Sequence, residues 1–307
     1  MDSGNIGFVL LCAAFVFVMT PGLAMFYGGL VRKKNVVNTM MTSIFIIGVG
    51  IVMWVLFGYS LSFAPSGNAF IGDFRWLGLE GVSLTEGYTD GASIPNMVFS
   101  AFQMMFAVIT PALITGAVAG RMKFKSIFVF TIFWSLIVYY PLAHMVWGQG
   151  GLLGADGIGA LDFAGGDVVH ISSGVSALVL CILLGKRHDY EHSIYRIHNI
   201  PTVVLGASLL MFGWFGFNAG SALAADGLAA HAFMTTGVSA AAAMLSWMLC
   251  DVIKNKKPTL IGASTGMVAG LVGITPGAGF VPMWAAVIIG LTTSPVCYIM
   301  ISYGKKK

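Results

Sequence analysis

The sequence predicts an all-α polytopic membrane protein with nine transmembrane helices, its N-terminus outside and its C-terminus cytoplasmic. Three observations carry that reading. Only 9% of the 307 residues are charged, against about 25% in a soluble domain, and mean hydropathy is +0.88. Uncharged stretches long enough to cross a bilayer recur along the chain. Fifteen of the 16 Lys and Arg residues fall at alternate ends of those stretches, on one side of the implied membrane. So few charges could not coat a 32.4 kDa globule. That excludes a soluble enzyme, a nucleic-acid binder and a disordered chain.

A spanning helix needs about 20 mostly apolar residues. Eight runs of 18 or more residues lack Asp, Glu, Lys and Arg: 3–31, 35–72, 91–120, 126–155, 168–185, 197–225, 227–250 and 258–304. As a single helix the last run would measure roughly 70 Å, more than twice a bilayer core. Ile274-Thr275-Pro276-Gly277-Ala278-Gly279 breaks it into two. The nine helices are therefore expected near 6–30, 36–62, 95–120, 125–145, 168–185, 200–219, 229–250, 259–274 and 281–303. Segment 63–94 holds Pro65, several glycines and five charges, and reads as an exposed loop. No β-barrel alternation appears, and the Met1 end lacks the basic stretch of a secretory signal.

Arg32-Lys33-Lys34 follows the first helix, Arg121, Lys123 and Lys125 the third, and Lys186, Arg187 and Arg196 the fifth. Lys254, Lys256 and Lys257 follow the seventh, and Lys305-Lys306-Lys307 the ninth. By the positive-inside rule that side is cytoplasmic, and the protein sits in the cell membrane. Asp73, Glu80, Glu86, Asp90, Asp156, Asp162, Asp167 and Asp226 fall outside, where they solvate loops and modestly attract a cation. The 40 glycines suit close helix packing. Cys12, Cys181, Cys250 and Cys297 show no CxxC spacing and read as packing residues, so no metal site or cofactor is expected.

Ionisable groups at membrane depth are functional candidates. His170 stands one turn inside the fifth helix, followed by Ser172, Ser173 and Gly174. A neutral imidazole accepts a proton at one nitrogen and donates from the other; a satisfied core histidine is the alternative. His144, beside Trp147, reads as structural. His188, His192 and His198 fall in a cytoplasmic loop, and His231 near the outer boundary. Phe102 and Phe106 share one face of the third helix, with Gln103 between them. Trp147 ends the fourth helix, and Gly213-Trp214-Phe215-Gly216-Phe217-Asn218-Ala219-Gly220-Ser221 ends the sixth. Such aromatics belong to an interfacial belt or offer faces to a cation, at about 0.5–2 kcal/mol each.

Several strings together resemble the ammonium transporter family (Amt/Mep, related to Rh proteins). They are Thr20-Pro21-Gly22, Phe26-Tyr27-Gly28-Gly29, Ala143-His144-Met145-Val146-Trp147-Gly148, Asp162 to His170, Gly213 to Ser221, and Gly270-Leu271-Val272-Gly273-Ile274-Thr275-Pro276. They cover essentially the whole chain in the family's order. The resemblance implies a homotrimer with one pore per protomer and two inverted five-helix repeats, here 1–185 and 200–303. It implies ammonium recruitment at Trp147 and Ser221, flanked by Phe102 and Gln103. It implies a gate at Phe106 and Phe217, a pore lined by His170 and Thr275, and backbone support from Asp162. The family's second pore histidine lies in a tenth helix, whereas this chain stops at Lys307. The second repeat is therefore expected to be incomplete, lacking the family's last two helices.

Stripping water from an unpaired ammonium ion costs tens of kcal/mol in an idealised apolar medium. An outer site that selects the cation and a lumen that carries neutral ammonia avoid much of that cost. Potassium cannot lose a proton, so it is rejected without a precise cage. The competing readings are an ammonium-binding membrane sensor and a non-conducting truncated fragment. No HExxH, GxSxG or P-loop motif supports a membrane enzyme. The expected partners are ammonium or ammonia, membrane lipid, a second and third copy, and a PII-type signal protein on the basic cytoplasmic loops; nucleic acid is not expected.

Overall fold

The computed structural model describes residues 1–65, 67–155, 157–187 and 196–304. Asp156, His188, His192 and Lys305-Lys306-Lys307 lie outside the described residues. Among the described residues nine helices are long and apolar enough to cross a membrane, and there is no strand. They are α1 (Ser3–Leu30), α2 (Lys33–Phe63), α3 (Asn96–Val118), α4 (Phe124–Trp147), α5 (Gly166–Leu184), α6 (Ile200–Gly220), α7 (Gly227–Asn255), α8 (Leu260–Gly277) and α9 (Met283–Tyr303). Pro21, Pro111 and Pro295 sit inside helices, as membrane helices tolerate when neighbouring groups satisfy the freed carbonyls.

The centre of the bundle is the contact between α1 and α6, and glycine creates it. A Cβ on Gly29 would lie 2.6 Å from Val203 Cγ2 and 2.7 Å from Val203 N. One on Gly216 would lie 2.7 Å from Phe15 Cβ. Each glycine leaves the room that a residue of the other helix fills, so the two helices approach closely and dispersion contacts replace the hydrophobic drive that lipid cannot supply.

The two ends of the bundle collect the residues that the charge pattern assigned to each side. At one end, His198 and Asn199 donate backbone N–H groups to Val31 O and Gly29 O, and Arg121 Nη1 donates to Gly185 O at 3.0 Å. At the other, Asp2 N donates to Ser93 O, and Ala225 N donates to Asn5 Oδ1 at 2.8 Å.

Two expectations need correction. Segment 63–94 is not simply an exposed loop. Its charges stay at the surface, but Val82 and Ile94 are buried and Trp76 stacks on Tyr59 at 5.4 Å. Gly72 N donates to Leu61 O at 2.7 Å, and the buried His144 ring brings its nitrogens to 3.1 Å from Ser62 O and 2.7 Å from Asn68 O. The apolar residues between the charges anchor the segment over the outer end of α2 and α4. The second correction is α7, expected to stop at 250. It continues to Asn255 because Asp251 is satisfied inside the bundle, where the Thr259 hydroxyl donates to Oδ2 at 2.7 Å.

Candidate functional site: an outer cavity over an aromatic stack

α3, α4 and α6 each deliver aromatic residues to the outer end of the bundle. Phe102, Gln103 and Phe106 come from α3, Trp147 closes α4, and Ser221 follows α6. All five line one cavity of about 420 Å³, with Asp162 in its wall. The helical spacing of Phe102 and Phe106 puts both rings on one face, 4.9 Å apart in an edge-to-face arrangement with 65° between planes. Phe106 meets Trp147 edge-on at 6.0 Å.

The polar groups of this cavity are arranged to accept. The Ser221 hydroxyl donates to Phe217 O at 2.8 Å, which leaves its oxygen lone pairs free to receive a donor. Gln103 Oε1 is buried with no hydrogen-bond partner. A buried orphan acceptor beside aromatic faces suits a small cation that donates.

Below the cavity, Phe106 and Phe217 stack at 4.2 Å between centroids and 27° between planes. Both rings are buried, at 1% and 0% exposure. Phe217 also stacks on His170 at 6.0 Å, and His170 lies against Trp214 at 5.3 Å and 26°. His170 Nε2 is buried without a partner. The imidazole is thus held by ring faces rather than by hydrogen bonds, and its nitrogen is left unengaged.

The local backbone explains how α5 carries that histidine. Asp162 accepts from four consecutive amides, those of Gly165, Gly166, Asp167 and Val168, at 2.7, 2.5, 2.8 and 3.1 Å. These are the donors that a helix start leaves unpaired. Asp167, the other acid at this helix start, is not the cap; its own amide is held by Asp162. Gly165 makes the turn with φ of 119°, a conformation that L side chains disfavour. Burial holds the Asp162 carboxyl above the ordinary carboxylate range, an effect that the four amides offset only in part. The first turn is then wider than an α-helix: residues 166–171 are π-helical, and His170 N reaches back to Gly165 O at 3.0 Å. Such turns recur at functional sites because they re-aim a side chain.

Thr275 packs behind the stack, against Trp214. It is fully buried, its hydroxyl donates to Leu271 O at 2.8 Å, and it accepts the Trp214 indole N–H at 2.9 Å. It braces Trp214 from behind. Trp214 is the residue that sequence reasoning passed over. It was visible in the Gly213 to Ser221 string, but only the three-dimensional packing joins it to His170. Trp147 is braced similarly, its indole N–H donating to Asp162 O at 3.0 Å. His231 is structural, with Nε2 2.8 Å from Val281 O.

Comparison with known proteins follows the same lines. The model of the Ammonium Transporter Family matches residues 7–307. The chain is 52% identical to an ammonium transporter of Bacillus subtilis over 308 residues, covering all of this chain and 74% of that protein. Its fold matches the crystal structure of Saccharomyces cerevisiae Mep2 with a TM-score of 0.90 and 39% identity, over 97% of this chain and 66% of that one. It also matches a structure described as a sensor Amt protein, with a TM-score of 0.87 and 29% identity, over 97% of this chain and 74% of that one. The chain thus spans about three quarters of the Bacillus relative and slightly under two thirds of Mep2. With nine apolar helices among its described residues and a family match over nearly its whole length, the chain belongs to the ammonium transporter family and is a multi-pass protein of the cell membrane.

Proposed function

We propose that this protein moves ammonium or ammonia across the membrane, recruiting the cation in the outer cavity and passing the neutral molecule beyond a phenylalanine gate. The observation that supports this best is the continuity of the parts. Trp147, Ser221, Phe102 and Gln103 share one cavity, Phe106 forms its inner wall, and Phe217 contacts both Phe106 and His170. Aromatic faces and two acceptors stabilise ammonium. The buried ring stack beneath offers no replacement for its water, so proton loss precedes passage. His170, engaged by ring faces alone, is suited to guide ammonia and relay the proton. Asp162 supports the site through backbone, and Thr275 supports it through Trp214.

We further propose that segments 1–185 and 200–303 are the two repeats, meeting at the α1–α6 contact, and that three copies assemble. The basic cytoplasmic loops suit a PII-type partner. Proteoliposomes loaded with a pH dye test the transport reading. An ammonium gradient should produce a fast internal pH change that potassium does not, and a trace equal to empty liposomes would sink it.

A sensor that binds without conducting is the second reading, favoured by the fold match to the sensor Amt protein over 97% of this chain. It predicts an ammonium-dependent tryptophan fluorescence change with no liposome flux.

A further inference from the structure

We propose that Leu223 is a specificity-determining wall of the outer vestibule, limiting the alkyl group that a primary alkylammonium ion carries into it. The inference rests on the recruitment reading above. Two independent observations carry it.

The first is backbone. Beyond α6, the amides of Ser221, Ala222 and Leu223 donate three residues back, to Asn218, Ala219 and Gly220, at 3.2, 3.2 and 2.9 Å. Leu223 then adopts φ of 58°. Glycine commonly fills such a helix-ending position, because a Cβ is disfavoured there. A leucine held against its own backbone preference points to a use for its side chain.

The second is the space around it. Beside the cavity of about 420 Å³ lies another of about 240 Å³, and Tyr88, Thr89, Phe99 and Leu223 line both. Tyr88 and Phe99 are stacked at 4.7 Å and 5°, and Gln149 clasps Tyr88, its amide N–H donating to the hydroxyl and its side chain to the carbonyl. That part of the wall is rigid. Leu223 stands two residues beyond Ser221. An ion whose ammonium head sits at Trp147 and Ser221 meets the leucine before its alkyl arm reaches the second cavity. Glycine in its place would relax the backbone and join the two spaces.

Equilibrium binding to the purified protein in lipid nanodiscs, read by tryptophan fluorescence, tests this with ammonium, methylammonium and n-propylammonium chlorides. Leu223→Gly should raise the affinity of propylammonium relative to methylammonium at least tenfold, about what one methylene's worth of pocket space decides, with no loss of thermal stability. Leu223→Ala, which leaves the backbone strained, should move the ratio the same way by less, and Leu223→Met should keep the parent ratio. An unchanged ratio in the glycine and alanine variants, with methylammonium still bound, overturns this inference and leaves the recruitment reading standing. Failure of the parent protein to bind any of the three ions overturns both.

Discussion

The indole N–H of Trp214 donates to Thr275 Oγ1 at 2.9 Å, a bond made between two fully buried side chains of α6 and α8. The same indole backs the His170 ring at 5.3 Å. The histidine's position therefore depends on a hydroxyl it never touches. Thr275→Val keeps the shape and removes the acceptor, leaving a buried N–H unpaired at a cost of about 1–3 kcal/mol. Thermal unfolding of the detergent-solubilised protein should fall by several degrees, and Thr275→Ser should restore it. Equal unfolding temperatures for the valine variant and the parent would show that the bond does not hold Trp214.

Trp147 lines the outer cavity, and an indole offers a cation the strongest of the aromatic faces. Trp147→Leu removes an interaction of about 0.5–2 kcal/mol. Methylammonium affinity should weaken by roughly 2- to 30-fold. Calorimetric titration checks this, and an unchanged affinity would move recruitment away from the indole.

Asp162 holds four amides with two oxygens. Asp162→Asn turns one of those acceptors into a donor facing N–H groups. We expect a loss of about 2–4 kcal/mol, seen as a lower unfolding temperature, because buried donors are left without partners. Binding should weaken as well, since the Asp162 carbonyl positions the Trp147 indole. Binding lost at full stability would instead mean direct contact between the carboxylate and the cation.

The α1–α6 seam predicts a contrast between two glycines. Gly29→Ala drives a methyl to 2.6 Å from Val203 Cγ2 and 2.7 Å from the Val203 backbone nitrogen, so the helices must separate, at about 1–3 kcal/mol. Gly48→Ala, in the exposed middle of α2 with nothing within 4 Å, should be neutral or stabilising by about 0.4–1 kcal/mol. Thermal unfolding of both variants side by side checks the pair, and equal effects would refute the seam.

What the sequence determined by itself is the membrane solution. An uncharged stretch of about 20 residues has one stable form in lipid, a helix that satisfies its own backbone. The nine helices found among the described residues were therefore legible in the order of the residues. So was the family, through long strings such as Asp162 to His170. Tertiary structure alone decided how those strings act on one another. Asp162 rather than Asp167 caps α5, because the chain bends back at Gly165 and aims four amides at one carboxylate. Thr275 braces Trp214 because α6 and α8 approach closely enough for a hydrogen bond across 61 residues. The segment 63–94 folds over the outer end because its scattered apolar residues find partners on α2 and α4. The last two interactions join residues far apart in the chain, and local pattern carries no record of a contact that only packing creates; the Asp162 bonds reach only three to six residues along the chain, yet which of two nearby carboxylates makes them depends on the path of the turn at Gly165.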